Sequence, residues 1–356
     1  MPNAPLLFVL PECRASITGG NLYNERLVKA LVARGRTCLT MDWPEAAAWL
    51  TAGRPANVLV DSLLIDRLPS LRARSRAGQR LVLLTHFLPS LDPTADAAER
   101  LHRRRRETAL LRHLDAFVVP SPLAERAVME RTGGGPDVPI LVSPPALGFR
   151  PEPRAVPTGP LHGLLVSNLL PNKGVREFLL ELGRQVRTGD RFRIEIAGHD
   201  DLDPAYAASC RAAVAQAPAL RECVAFLGAV PPDRIARLYA RAHVFISASG
   251  FESFGMALQE ARACGLYILA RDAGNAAAHL AGSAGQLVPD VATLAGACAR
   301  LIAGPFPSPE FEHLDHADTP RPVWSEQDWT WNAAARRLEA FVASVVPASI
   351  METAHV

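Results

Sequence analysis

Lysine is nearly missing from this chain. Lys29 and Lys173 are the only two among 38 basic side chains, a pattern that a coding preference for arginine explains. Lys173, in an Asn-Lys-Gly turn just past a strand, then marks either a plain solvated turn or a place that needs a compact ammonium and not a planar fork. Net charge is scarce too, at +2. Aromatics make up 6% and are not interleaved with basic residues, which argues against nucleic acid as a partner. No run approaches about 18 uninterrupted apolar residues, and the N-terminus shows no charged region leading into an apolar segment and a cleavage site. Neither a membrane span nor a signal peptide is expected, and the expected location is cytoplasmic. The cysteines, Cys13, Cys38, Cys210, Cys223, Cys264 and Cys298, form no C-x-x-C pair and lie in apolar or helical surroundings, so reduced thiols are expected and no metal. Also absent is Gly-x-Gly-x-x-Gly after the first strand, which sets aside a dinucleotide dehydrogenase.

What is present is length and alternation. A chain of 356 residues with 49% hydrophobic content is ample for two cores. Leu6 to Leu10 reads as a buried strand, and Thr18-Gly-Gly-Asn21 as a glycine turn opening an amphipathic helix from Leu22 to Ala33. Paired glycines before a helix are often only a turn, but they also let a backbone approach a ligand closely. Strands follow at Thr37 to Met41, Asn57 to Val60, Arg80 to Thr85, Ala116 to Val119 and Pro139 to Val142, with helices between. The proline-rich stretch Ser143 to Pro160 has no period and reads as a linker. Beyond it strands recur at Gly163 to Val166, Arg191 to Ala197, Cys223 to Phe226, Val244 to Ser247 and Tyr267 to Ala270. A second linker, Ala303 to Pro322, precedes Trp324, Trp329, Trp331 and a helix from Ala333 to Val346, the tryptophans serving as packing anchors. The fold class is α/β, with parallel sheets covered on both faces. The expected divisions are 1–150, 151–322 and 323–356.

Residues 1–150 hold 20 basic against 14 acidic side chains, and the remainder 18 against 22, so the first domain is the basic one. Part of the excess is Arg100, Arg103, Arg104, Arg105 and Arg106, in a helix whose apolar side is Leu101, Leu110, Leu111 and Leu114. A solvated charged face is the plain interpretation.

The most informative stretch is Gly250-Phe-Glu-Ser-Phe-Gly-Met-Ala-Leu-Gln-Glu-Ala-Arg-Ala-Cys-Gly265. It joins the end of a buried strand to a glycine turn and a helix beginning at Ser253 to Gly255. The first N–H groups of that helix have no intrahelical partner and the dipole adds fractional positive charge, so the turn suits a phosphate. Glu252 and Glu260 flank it. Both would repel a phosphate if aimed at it, so they either grip neutral hydroxyls on either side, as on a nucleotide sugar, or serve as a dipole-complementing acid and a solvated face.

Glu-x7-Glu in this setting resembles the signature of family-4 retaining glycosyltransferases of glycosyl transferases group 1. The resemblance extends through Val166-Ser-Asn-Leu-Leu-Pro-Asn-Lys-Gly174, Phe226 to Pro231, Leu238 to His243 and Ala273-Gly-Asn275, which fall in the family's order and spacing. It implies a GT-B fold, two Rossmann-like domains facing across a cleft, with a terminal helix crossing back to the first domain. It implies transfer of a sugar from a nucleoside diphosphate donor to a glycan, lipid or small-molecule acceptor in carbohydrate biosynthesis, with no cofactor and no obligatory metal. On the family pattern Lys173, Glu252 and His86 are the catalytic set. Gly19, Gly20, Asn168, Ser253, Phe254, Gly255, Met256 and Glu260 are the donor-binding set, with Glu260 on the ribose and Glu252 on the donor sugar or its loop. His86 stands at the end of the strand Leu81 to Thr85, where ligands bind in open parallel sheets, although a hydrogen-bonded loop histidine would sit there too. The first domain of such a fold receives the acceptor, so the basic helix suits an anionic acceptor or a peripheral contact with an anionic membrane face.

One position departs from the pattern. Many relatives carry arginine five residues before the lysine, where this chain has Asn168. A cationic contact is then missing, and Arg14 or Arg271 is the expected substitute. Two alternatives stand beside the transferase: a silent nucleotide-sugar-binding protein, and a metal-dependent transferase using Asp201-Leu-Asp203, a segment that equally forms a loop and a helix cap.

Overall fold

The computed structural model describes residues 4–11, 18–134, 138–151, 159–281, 283–304 and 330–345. The chain divides into two compact units: one runs to Ala146 and takes in the C-terminal helix, and the other begins at Leu147.

The first unit holds β1 (Leu6–Val9), β2 (Cys38–Met41), β3 (Asn57–Asp61), β4 (Arg80–Leu84), β5 (Ala116–Val119) and β6 (Ile140–Val142). They form one parallel sheet in the order β2-β1-β3-β4-β5-β6. Its helices are α1 (Gly19–Ala33), α2 (Trp43–Thr51), α3 (Leu68–Arg74), α4 (Ala97–Leu111) and α5 (Pro122–Thr132). Successive side chains of a strand point to opposite faces, and here both faces are covered. Leu7, Val9, Val58, Val60, Leu81 and Leu83 pack in one core with α2 to α5, while Leu6, Phe8, Leu59, Val82 and Leu84 pack in the other with α1.

The second unit contains β7 (Leu161–Val166), β8 (Phe192–Ala197), β9 (Val224–Gly228), β10 (Val244–Ser247), β11 (Tyr267–Arg271) and β12 (Gly285–Val288). These are again parallel, in the order β12-β11-β10-β7-β8-β9. That is the doubly wound Rossmann order, in which the sequence reverses direction between β7 and β10. Helices α6 (Val175–Gln185), α7 (Pro204–Gln216) and α11 (Val291–Ala303) cover one face, and α8 (Pro232–Arg241), α9 (Met256–Ala263) and α10 (Ala276–Leu280) cover the other. Helix α12 (Trp331–Ser344) returns to the first unit, where Ala334, Ala335, Leu338 and Val342 complete the α1 core and Trp331 packs edge-on against Tyr23.

The structure alters several expectations. Helix α1 begins at Gly19, three residues before Leu22, because Thr18 caps it by accepting from Asn21 N–H at 3.2 Å. The strand β12 was not expected. Leu101 is 50% exposed and not on the buried side of α4, which is built on Glu107 and Leu111. Ser143 to Ala146, expected as linker, are buried in the first unit, and the Ser143 carbonyl accepts from Tyr23 Oη at 3.0 Å. Cys13, Arg14, Trp324, Trp329, residues 152–158 of the first linker and residues 305–322 of the second lie outside the described residues.

A buried ion pair fixes the segment that follows β4. Glu107 Oε2 accepts from Arg131 Nε at 2.5 Å, and both side chains are 3% exposed. Ser90 joins by donating its N–H and hydroxyl to Glu107, each at 2.6 Å, and by accepting from Arg131 Nη2 at 2.6 Å. Removing one partner of such a pair strands a buried charge. Glu107→Ala is therefore expected to lower unfolding stability by about 3–5 kcal/mol in urea titrations, and the apolar double replacement of Glu107 and Arg131 by far less.

Candidate functional site

In the second unit the chain runs outward from β7 toward β9 and from β10 toward β12. The loops leaving the C-terminal ends of β7 and β10 therefore part company, and ligands of open parallel sheets bind at that reversal. One loop carries Lys173 and the other Glu252. Their side chains meet: Lys173 Nζ donates to Glu252 Oε1 at 2.7 Å and lies 3.5 Å from Ser249 Oγ. The pair is 26% and 19% exposed, so solvent reaches it.

The loops are tied through their backbones as well. Gly250 N–H donates to the Asn172 carbonyl at 2.8 Å. Gly174, with φ of 65°, ends the turn containing Lys173 and starts α6, and a Cβ there would lie 2.5 Å from the Ala248 oxygen. Both the backbone angle and the space demand glycine. A third segment closes over Glu252. Gly274 stands so close that a Cβ would be 2.3 Å from the Glu252 oxygen, and that oxygen accepts from Asn275 N–H at 2.8 Å. The Phe254 carbonyl accepts from Asn275 Nδ2 at 3.0 Å and from His279 Nε2 at 2.6 Å.

This clamp shapes the start of α9. Gly255, with φ of 93°, is its N-cap, and its carbonyl accepts the first helical bond, from Gln259. The N–H groups of Met256, Ala257 and Leu258 precede that ladder and carry the positive end of the dipole. Ser253 and Met256 are half-buried beside buried Phe254 and Gly255. Glu260 is buried and not a solvated face, and its Oε2 accepts from Tyr239 Oη of α8 at 3.0 Å. Burial and that carboxylate raise the Tyr239 hydroxyl well above its usual range, so it stays a donor.

The structure gives Asn168 a scaffolding task, since its Oδ1 accepts from His199 N–H at 3.0 Å and ties the β7 loop to the β8 loop. Arg271, at the end of β11, places Nη1 3.4 Å from the Ala248 carbonyl. Asp203 caps α7 by accepting from Tyr206 N–H at 2.9 Å, and Asp201 engages His199 Nδ1 at 3.0 Å.

In the first unit the sheet order reverses between β1 and β3, and His86 follows the neighbouring β4. Its Nε2 donates to Asn24 Oδ1 at 2.9 Å and lies 3.6 Å from Asp61 Oδ2, while Asn24 Nδ2 donates to Asp61 Oδ2 at 2.7 Å. Burial lowers the imidazole's proton affinity, and Asp61 opposes that shift. The His86 ring explains Gly20: a Cβ there would come within 3.1 Å of it. Gly19 and Gly20 are thus the first turn of a helix and not a turn before it. Asn24, Asp61, Tyr239 and His279 were not singled out from sequence. Asp61, an acid at the end of the apolar run Val58 to Val60, carried the clearest signal among them.

Burial drives His279 down to about 4. Unfolded histidine titrates near 6.5, so as pH falls the unfolded chain takes up a proton first. The second unit should hold its full stability above about pH 6.5 and lose on the order of 3 kcal/mol as pH falls to about 4. Urea unfolding at about pH 7 and pH 4.5, compared with His279→Leu, checks this, because the variant should lack that component.

Residues 161–304 match the family model described as glycosyl transferases group 1. Among curated proteins, D-inositol 3-phosphate glycosyltransferase of Acidothermus cellulolyticus is 30% identical over 251 residues, covering 65% of this chain and 56% of that protein. The gpi3 subunit of phosphatidylinositol N-acetylglucosaminyltransferase of Schizosaccharomyces pombe is 26% identical over 216 residues, 58% of this chain and 44% of its own. The chain thus spans about half the length of the curated relatives it matches. Among solved structures, sucrose-phosphate synthase from Thermosynechococcus elongatus superposes with a TM-score of 0.68 at 18% identity, covering 98% of this chain and 96% of that one. Anabaena HepE in complex with UDP-glucose gives 0.62 at 16% identity, covering 98% and 97%. These likenesses carry the fold, two Rossmann-like units of the GT-B type. No helix among the described residues is long and apolar enough to cross a membrane. The second unit thus resembles the group 1 glycosyl transferases over residues 161–304, and both units share the GT-B architecture of the solved structures.

Proposed function

We propose that this protein is a retaining glycosyltransferase that moves a sugar from a nucleoside diphosphate donor to an acceptor hydroxyl. The observation that carries the proposal is the meeting of Lys173 and Glu252, 79 residues apart in sequence, beside the bare N–H groups of α9 at the sheet's reversal point. HepE, which shares the fold, is solved with UDP-glucose. That supports a nucleotide sugar as the ligand here.

In the proposed reaction the acceptor oxygen attacks the anomeric carbon on the face the diphosphate leaves. The bond from that carbon to the diphosphate oxygen breaks, the new carbon–oxygen bond forms, and the acceptor proton passes to the departing diphosphate. Glycoside and nucleoside diphosphate are the products, and no protein nucleophile is needed. Charge growing on the diphosphate is met by the Lys173 ammonium and by the amides of Phe254, Gly255 and Met256, which are preorganised and cost little rearrangement. Asn168 and Ser253 border the same diphosphate. Glu252 holds Lys173 in place and faces the donor sugar. Glu260, with one oxygen set by Tyr239, accepts from the ribose hydroxyls. His86, with Gly19 and Gly20, is the first unit's contribution to substrate positioning. The reaction is proposed to run without a metal, since Asp201 and Asp203 are engaged in a loop contact and a helix cap. The acceptor is proposed to be anionic, in keeping with the basic first domain, and peripheral membrane contact and a cytoplasmic location complete the proposal.

A screen of nucleotide sugars for hydrolysis and transfer in the presence of EDTA tests this. At least one donor should be turned over with its anomeric configuration kept; turnover only when a divalent ion replaces EDTA would favour the metal-dependent alternative, and absence of turnover under both conditions would remove the enzyme assignment. With that donor, Lys173→Ala should lose on the order of a hundredfold in turnover, because the developing charge loses its cation and Glu252 is left unpaired beside it. Unchanged turnover would take lysine out of the mechanism. Glu260→Ala should instead raise the Michaelis constant for donor with a smaller change in turnover, and an unaltered constant counts against the ribose contact.

A further inference from the structure

One backbone carbonyl in the second unit has two buried side-chain donors. Asn275 Nδ2 and His279 Nε2 both reach the Phe254 oxygen, at 3.0 and 2.6 Å, and both residues are buried. The His279 ring also meets the Phe254 ring edge-on, with centroids 5.0 Å apart. His279 Nδ1 is buried with no hydrogen-bond partner. A bare ring nitrogen in the interior is a cost that leucine would avoid, so the bond from Nε2 is what the histidine supplies. Around the ring, Arg262 of α9 disfavours the charged imidazole and Glu252 favours it, and burial outweighs both. The neutral ring donates from Nε2.

The consequence lies on the other side of the peptide. The Phe254–Gly255 bond is trans, and in a trans peptide the carbonyl and the next N–H point in opposite directions. Holding the Phe254 oxygen toward α10 therefore turns the Gly255 N–H away from α10. Such an anchor matters most before glycine, which accepts either sign of φ at little cost and so resists a flip of the plane poorly. Resting on the reading of this corner as a diphosphate site, we propose that Asn275 and His279 are its positioning residues. They lock the Phe254–Gly255 plane so that the Gly255 N–H joins those of Met256 and Ala257 on the diphosphate.

Calorimetric titration with UDP, GDP and ADP, and ligand-observed NMR with the matching nucleoside, test the lock. In His279→Leu the diphosphate that binds the wild type should bind about tenfold more weakly, as expected for a lost hydrogen bond to a charged group, while nucleoside affinity stays the same. In His279→Gln the amide reaches the same carbonyl and should restore most of the affinity. Full diphosphate affinity in folded His279→Leu, or an equal loss of nucleoside and diphosphate, overturns the proposal. Should His279→Leu not fold, Asn275→Ala removes the other donor without adding charge and is judged by the same criterion. A wild type that binds none of the three diphosphates defeats the underlying assignment of the site, an outcome separate from the failure of the lock.

Discussion

Backbone meeting backbone, with no side chain between, is the constraint on which the second unit's corner depends. Gly174 presses on Ala248 and Gly274 on Glu252, at separations a single methyl carbon would violate. Those contacts hold the loops after β7, β10 and β11 in one arrangement. Glu252 is gripped through its backbone, which frees its carboxylate for Lys173. The corner is thus shaped by main-chain packing, and the Lys173 and Glu252 side chains within it remain accessible to solvent.

Two ion pairs differ sharply in burial. Glu107 and Arg131 are almost wholly out of water, and each lone-pair and N–H direction that matters is answered by Ser90 or a backbone carbonyl. Such a pair stabilises one geometry and resists change. Lys173 and Glu252 keep about a quarter and a fifth of their surfaces exposed. A pair that solvent reaches contributes less to folding than its geometry alone suggests. The same kind of charge pair is sealed from water in one unit and open to it in the other.

Much of the architecture was legible because parallel strands buried on both faces are written as short continuous apolar runs. Leu6 to Val9, Ala116 to Val119 and Val244 to Ser247 stand out for that reason. Gly285-Gln-Leu-Val288 did not, since half of its residues are polar or glycine. The Glu-x7-Glu stretch was visible through its turn and spacing, but the burial of Glu260 was not, because Tyr239 comes from a distant helix. His279 was hidden for a different reason: Ala276-Ala-Ala-His-Leu280 is under two turns long and shows no period. Asn24 and Asp61 lie far apart in sequence and become partners only when α1 settles on the sheet. Local pattern finds elements, and long-range contacts decide what their polar residues do.

Helix α12 fills the α1 side of the first unit's sheet with Ala334, Ala335, Leu338 and Val342, residues made at the far end of the chain. A ribosome delivers polypeptide from the N-terminus at about 5–20 residues per second, and domains mostly fold as they emerge. The first unit must therefore wait with one apolar flank of its sheet uncovered until α12 is made, while the described strands and helices of the second unit are all made before it. The order of completion in this molecule is the reverse of its order of synthesis.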